Sequence, residues 1–179
     1  MLCARVRSCE ILWLAFRYPM PSKRSVLVLV LLILLCIGGG SLSGLLSADS
    51  MSTWYRDLNR PFFTPPGWVF GPAWLILYTL MAIACWRVWR RCYESFKAMG
   101  SARNWFFVQL GLNFLWTPVF FGMHAIWPAL LVIILLWFAI LQTMRAFANF
   151  DKPAVWMLAP YLAWVGFATV LNAAFAVLN

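Results

Sequence analysis

Apolar and polar positions along the 179-residue chain separate into five long apolar runs divided by short polar stretches. The runs cover 26–46, 68–89, 104–121, 126–147 and 154–178. A helix rises about 1.5 Å per residue, so about 20 apolar residues cross the ~30 Å hydrocarbon core of a bilayer. The pattern predicts an all-α, polytopic membrane bundle of five transmembrane helices. The third and fourth runs are joined only by Gly122-Met123-His124-Ala125, which predicts an antiparallel helical hairpin.

Composition sharpens this picture. The chain is 64% hydrophobic, against the about 45–50% usual for soluble domains, and holds 12 Trp. Fourteen bases face five acids, but the bases cluster between apolar runs, which points to the lipid bilayer and not to nucleic acid. Arg5, Arg7, Arg17, Lys23, Arg24, Arg87, Arg90, Arg91, Lys97, Arg103, Arg145 and Lys152 fall on one side, and only Arg56 and Arg60 on the other. The positive-inside rule then sets the N-terminus in the cytoplasm and the C-terminus outside. A cleaved signal peptide is the competing reading of the first run. Its length exceeds the 7–15 residues of a signal core, which counts against that reading. Gly40 and Gly44 form a small-xxx-small pair able to bring helices close. Residues 1–22 read as an extension outside the fold, with Met20 as a second candidate initiator, and 23–179 as the membrane domain. The five cysteines form no CxxC pair and lie beside no histidine, so they predict neither a metal site nor a disulfide framework.

Loop 48–67 is not a plain connector. It carries Trp54, Tyr55, Phe62 and Phe63 with Pro61, Pro65 and Pro66, and Trp68 follows it. Proline fixes φ and removes a donor, so the segment cannot be one helix. Its aromatics need a surface to cover. An interfacial belt would satisfy them, but their density favours a lid over the outer mouth.

Inside the runs, Gln109, Asn113 and Trp116 share one helical face, with Thr117 beside them. Tyr161, Trp164, Ala168, Leu171 and Asn172 share another, and Trp74 and Tyr78 a third. Counted from the outer helix ends, Trp74, Asn113, Trp116 and Asn172 lie at one depth of about 8–12 Å, with Trp164 about two turns deeper. Two readings remain open. These residues form either hydrogen-bonded interhelical glue or an aromatic pocket with a few orienting polar groups. No acid or base stands in the interior of a run, which counts against ion-coupled transport. The chain has no Ser/His/Asp triad, HExxH, P-loop or GxGxxG. The lone histidine, His124, reads as a solvated turn residue, with haem ligation as the rarer alternative.

Three ordered motifs carry a resemblance. Trp54-Tyr55…Leu58…Arg60-Pro61…Pro65-Pro66…Val69-Phe70-Gly71-Pro72-Ala73-Trp74…Leu77-Tyr78 resembles the hallmark of the TspO/translocator proteins, also called tryptophan-rich sensory proteins or peripheral benzodiazepine receptors. Leu112-Asn113…Trp116-Thr117-Pro118…Phe120-Phe121-Gly122 is similar to their third helix, and Pro160-Tyr161-Leu162-Ala163-Trp164…Phe167-Ala168-Thr169…Leu171-Asn172 to their fifth. The resemblance implies a homodimer in a membrane, here a bacterial inner membrane. It also implies a site for protoporphyrin IX, haem or synthetic isoquinoline- and benzodiazepine-type ligands. It assigns ligand contact to Tyr55, Trp74, Tyr78, Asn113, Trp116, Thr117, Trp164, Ala168 and Leu171, under a lid holding Trp54, Arg60, Pro61, Pro65 and Pro66. Trp74 and Trp164 match tryptophans implicated in the light-dependent porphyrin breakdown of some bacterial members. Binding in porphyrin homeostasis or stress sensing, degradation and transport are therefore the three functional expectations. Phe63 stands where many members have Trp. Ala173 and Val177 replace the Tyr and Arg of the animal cholesterol pattern, which counts against cholesterol binding and points to a bacterial-type member.

Overall fold

The computed structural model describes residues 22–179. The extension 1–22, except Ser22, lies outside the described residues, as do Met20, Arg5, Arg7, Arg17, Cys3 and Cys9. Five helices are long and apolar enough to cross a membrane. They are α1 (Lys23–Leu45), α2 (Phe70–Arg91), α3 (Ser101–Thr117), α4 (Ile126–Ala148) and α5 (Lys152–Leu178). Each matches an expected span to within a few residues, and the all-α five-helix reading is borne out.

The ends follow local chemistry. Ser22 starts α1 by accepting from the Ser25 N–H at 3.1 Å, so the helix begins before the apolar run does. Pro118 follows Thr117, and the chain turns through one π-helical turn, Pro118–Gly122, before the short link to α4. That link is the expected hairpin. The Met123 N–H donates to Pro118 O at 2.9 Å. His124 sits at φ 55°, in the left-handed region.

The helices close into a ring in the order α1, α2, α5, α4, α3 and back to α1. Polar ties span it. Trp86 Nε1 donates to Ser25 O at 2.8 Å, joining α2 to the start of α1. Ser43 Oγ donates to Phe114 O at 2.9 Å, joining the other end of α1 to α3. Arg87 Nε meets Asp151 Oδ2 at 2.6 Å and Arg91 reaches the same carboxylate at 3.4 Å, clamping α2 to the start of α5. The lower half of the ring is filled by Met81, Cys85, Trp89, Phe106, Ile140 and Phe147. Large apolar side chains of α1 such as Leu27, Leu31 and Leu34 point outward, as a lipid-facing surface requires.

Gly40 has a role that its spacing did not reveal. A Cβ there would stand inside the Tyr78 ring, and one at Gly39 would stand inside the Phe114 ring. The close approach is internal to one chain. At Gly44 a Cβ would meet nothing within 4 Å among the described residues.

Among the described residues, nine bases gather at the end of the bundle holding the start of α1, and Arg56 and Arg60 stand at the other. The lid end is therefore the base-poor end.

Candidate functional site

The upper half of the ring encloses a cavity of about 770 Å³. Small-molecule sites run to about 300–1,000 Å³. All nine residues expected to touch a ligand line this one space: Tyr55, Trp74, Tyr78, Asn113, Trp116, Thr117, Trp164, Ala168 and Leu171. Arg60 and Pro65 of the lid line it as well. Trp54, Pro61 and Pro66 do not.

The lid folds as two helical turns, Ala48–Ser52 and Trp54–Asp57, followed by an extended stretch and a 3-10 turn at Gly67–Val69. Tyr55 meets the rings of Phe121 at 5.3 Å and Phe175 at 5.4 Å. Trp54 sits behind it, stacked on His124 at 4.4 Å and edge-on to Phe120 at 5.8 Å. His124 Nε2 also lies 3.2 Å from Ser50 Oγ, so the exposed turn histidine holds the lid. Pro61 is buried within the lid, where Thr64 Oγ1 donates to its carbonyl at 2.8 Å. Phe63 packs edge-on to Phe167 at 6.4 Å, while Phe62 and Trp68 remain exposed. A reciprocal amide clasp closes the arrangement. The Asn59 N–H donates to Asn179 Oδ1 at 2.9 Å, and Asn179 Nδ2 donates back to Asn59 O at 3.2 Å.

The polar groups occupy two layers. In the upper one, Trp116 Nε1 donates to Asn172 Oδ1 at 3.1 Å, and Asn172 Nδ2 donates to Ile126 O at 3.1 Å. The Trp116 ring is held flat against Phe120 at 5.3 Å. In the lower layer, Tyr78 OH donates to Asn113 Oδ1 at 2.6 Å, Asn113 Nδ2 to Tyr161 OH at 2.9 Å, and Tyr161 OH to Gln109 Oε1 at 2.9 Å. Trp74 stacks on Tyr78 at 5.3 Å and stands edge-on to Tyr161 at 6.4 Å.

The greater depth expected for Trp164 is corrected by this geometry. Trp164 does not lie beneath Trp74. Its ring meets Phe70, the first residue of α2, at 5.8 Å, whereas Trp74 meets Tyr161. Counting down from each helix end assumes level ends. At ~1.5 Å per residue the 27 residues of α5 span about 40 Å and the 22 of α2 about 33 Å. The last turns of α5 stand above the mouth, and the lid packs on them. Glue and pocket also prove compatible: the same polar residues tie helices together and line the space.

Charge is one-sided. Among the described residues, Arg56 and Arg60 are the only ionisable side chains on the cavity wall besides tyrosines. The Arg60 guanidinium lies 5.2 Å from the Tyr55 ring centroid, and its Nη2 is 3.4 Å from Tyr55 O. Burial pushes the Tyr55 hydroxyl pKa up, with Arg60 partly opposing, so the phenol stays neutral.

Phe120, Phe121 and Phe175 of the cavity wall were not singled out as site residues by sequence, nor was Tyr161 as the hub beneath it. Their signal was present, since Phe120 and Phe121 sit in the third-helix motif and Tyr161 in the fifth.

The profile of the TspO/MBR family matches residues 32–178. The chain is 39% identical over 155 residues to the tryptophan-rich protein TspO of Archaeoglobus fulgidus, covering 87% of this chain and 99% of that protein. It is 43% identical over 119 residues to a tryptophan-rich sensory protein of Cereibacter sphaeroides, 66% of this chain and 72% of that one. Against the tryptophan-rich protein TspO of Chlorobaculum tepidum it is 37% identical over 157 residues, 88% of this chain and 99% of the other.

Proposed function

The chain belongs to the TspO/MBR family, and on that premise we propose that it binds a tetrapyrrole, protoporphyrin IX or haem, in the cavity beneath its lid and serves porphyrin homeostasis or stress sensing. The observation that carries this reading is the match of wall to ligand. A porphyrin is a flat aromatic disc with carboxylates on one edge. The cavity has indole and phenol walls at Trp74, Tyr78, Trp116 and Trp164, and among the described residues its only charged lining side chains are Arg56 and Arg60. Aromatic faces stack on the disc, and arginine forks suit carboxylates. No cofactor is needed for this. Synthetic isoquinoline- or benzodiazepine-type ligands would use the same walls.

The opposite end of the ring is packed and clamped by Arg87, Arg91 and Asp151. That favours binding from the lid side over passage through the bundle. With the base-rich end in the cytoplasm, the lid and the end of α5 face outward, across a bacterial inner membrane. A homodimer belongs to the same proposal, and cross-linking in native membranes tests it.

The test is a dark absorbance titration of purified protein with protoporphyrin IX in micelles. A saturable shift of the Soret band, weakened in Arg56→Gln/Arg60→Gln, supports the reading. A spectrum identical to that in empty micelles overturns it.

A further inference from the structure

The lower polar layer ends on an unpaired group. Gln109 is 1% exposed, and its Nε2 has no hydrogen-bond partner among the described residues. Tyr161 is fully buried and Asn113 nearly so, while Tyr78 and Asn113 line the cavity. Every link in the series from Tyr78 through Asn113 and Tyr161 to Gln109 joins groups that can both donate and accept. Turning the two amides over exchanges their oxygen and nitrogen at nearly the same positions, and the hydroxyl hydrogens follow.

In one sense, Tyr78 donates into the chain and the Gln109 nitrogen is left over. Tyr78 then offers the cavity a lone pair. In the other, Gln109 Nε2 donates to Tyr161, Tyr161 to Asn113 Oδ1, and Asn113 Nδ2 to Tyr78. The Gln109 oxygen is then left over, and Tyr78 offers the cavity an O–H. Each sense leaves one group of the same buried amide unpaired, so the deep end gives neither a clear advantage. The choice falls to whatever meets Tyr78. Gly40 lies against the Tyr78 ring and hydroxyl, and both residues line the cavity.

We propose that Asn113, Tyr161 and Gln109 form a reversible hydrogen-bond chain that lets Tyr78 present either a donor or an acceptor to a flat aromatic ligand. The three act through Tyr78, as positioning residues. The site then takes ligands carrying a ring N–H and ligands carrying a carbonyl or ring nitrogen with similar strength. The proposal rests on the cavity being a ligand site.

Carbazole and 9-fluorenone test it. They share a planar tricyclic outline, but one carries an N–H donor and the other a carbonyl acceptor. Each is titrated by competition with protoporphyrin IX. Wild type should bind the two within a few-fold of each other. Gln109→Leu removes the acceptor for Tyr161, so Tyr161 donates only to Asn113 and the chain locks with the Tyr78 O–H facing the cavity. Carbazole should weaken about tenfold, the contribution of one neutral hydrogen bond, and fluorenone should stay within twofold. Tyr161→Phe cuts the chain but leaves the Tyr78–Asn113 pair free to turn, so it should keep the two probes together. Tyr78→Phe should weaken both. Should Gln109→Leu fail to assemble, Gln109→Ile makes the same cut. Equal losses for both probes in the Gln109 variant, or no change in their ratio, overturn the chain while the cavity stands. Protoporphyrin IX binding without either probe binding also overturns it. Failure of wild type to bind any of the three removes the ligand site itself.

Discussion

Gly40→Ala and Gly44→Ala differ by one helical turn on the same helix, and the structure separates them sharply. At Gly40 the new Cβ collides with the ring and hydroxyl of Tyr78, which is held to Asn113 by a 2.6 Å hydrogen bond. Overpacking of this kind costs about 1–3 kcal/mol. Displacing the hydroxyl forfeits a further ~0.5–1.5 kcal/mol. Gly→Ala returns about 1 kcal/mol of helix propensity at either position. The net for Gly40→Ala is a loss of about 1–3 kcal/mol, and for Gly44→Ala a change between zero and a small gain. For a chain of this size that becomes a fall of roughly 2–12 °C in Tm for the first variant alone. Because Tyr78 is a cavity wall, porphyrin affinity should fall with it. The assay is tryptophan-fluorescence melting in micelles beside a protoporphyrin IX titration. Equal melting and equal affinity for the two variants would refute the internal packing. So would a Gly40→Ala protein whose sole defect is weaker association between copies.

Trp116→Ala removes an indole stacked on Phe120 and bonded to Asn172. By analogy with aromatic–base stacking at ~1–3 kcal/mol, porphyrin should bind roughly 5- to 150-fold more weakly in the same titration. Asn179→Ala breaks the amide clasp on Asn59, so stopped-flow displacement should find faster porphyrin release at little cost in Tm. A reporter fused after Asn179 should be active outside the cytoplasm, and one in the 92–97 loop inside it; both on one side would sink the orientation.

The spans were legible because lipid enforces a simple rule: about 20 apolar residues per crossing, with charge only at the ends. Loop 48–67 stood out for a related reason, since a stiff aromatic loop needs a surface to cover. Which residues share a face followed from the 3.6-residue period. Their depth did not, because Trp164 depends on how far α5 slides past α2, and no single-helix count contains that offset. Gly40 was similarly ambiguous. A small residue serves a neighbouring chain or a large ring of its own chain equally well, and only Tyr78 across the gap decides. The pairing of Tyr161 with both Asn113 and Gln109 depends on the ring order that brings α3 opposite α5.

Binding and chemistry part at Trp164. Its indole lines the cavity beside Phe70, and its buried Nε1 has no hydrogen-bond partner among the described residues. An N–H without a partner leaves the ring unanchored on its polar edge, so Phe in its place loses no hydrogen bond and keeps a flat apolar ring. Trp164→Phe should therefore hold protoporphyrin IX within a few-fold of wild type in the dark. Under light and oxygen the two readings diverge. An excited porphyrin, or the oxygen species it generates, can take an electron from an indole in contact, and phenylalanine is far harder to oxidise. A photo-oxidative catalyst loses its light-dependent spectral conversion in Trp164→Phe while dark affinity stays. A protein that only binds yields no discrete product from either form beyond the bleaching of porphyrin in empty micelles. Trp74 makes a sharper control, because it stacks on Tyr78 and so belongs to the wall. Trp74→Ala removes the ring altogether and should lower both dark affinity and any conversion together. If Trp164→Phe and wild type convert porphyrin at the same rate, Trp164 carries no electron; if wild type does no better than empty micelles, binding is the function the cavity retains.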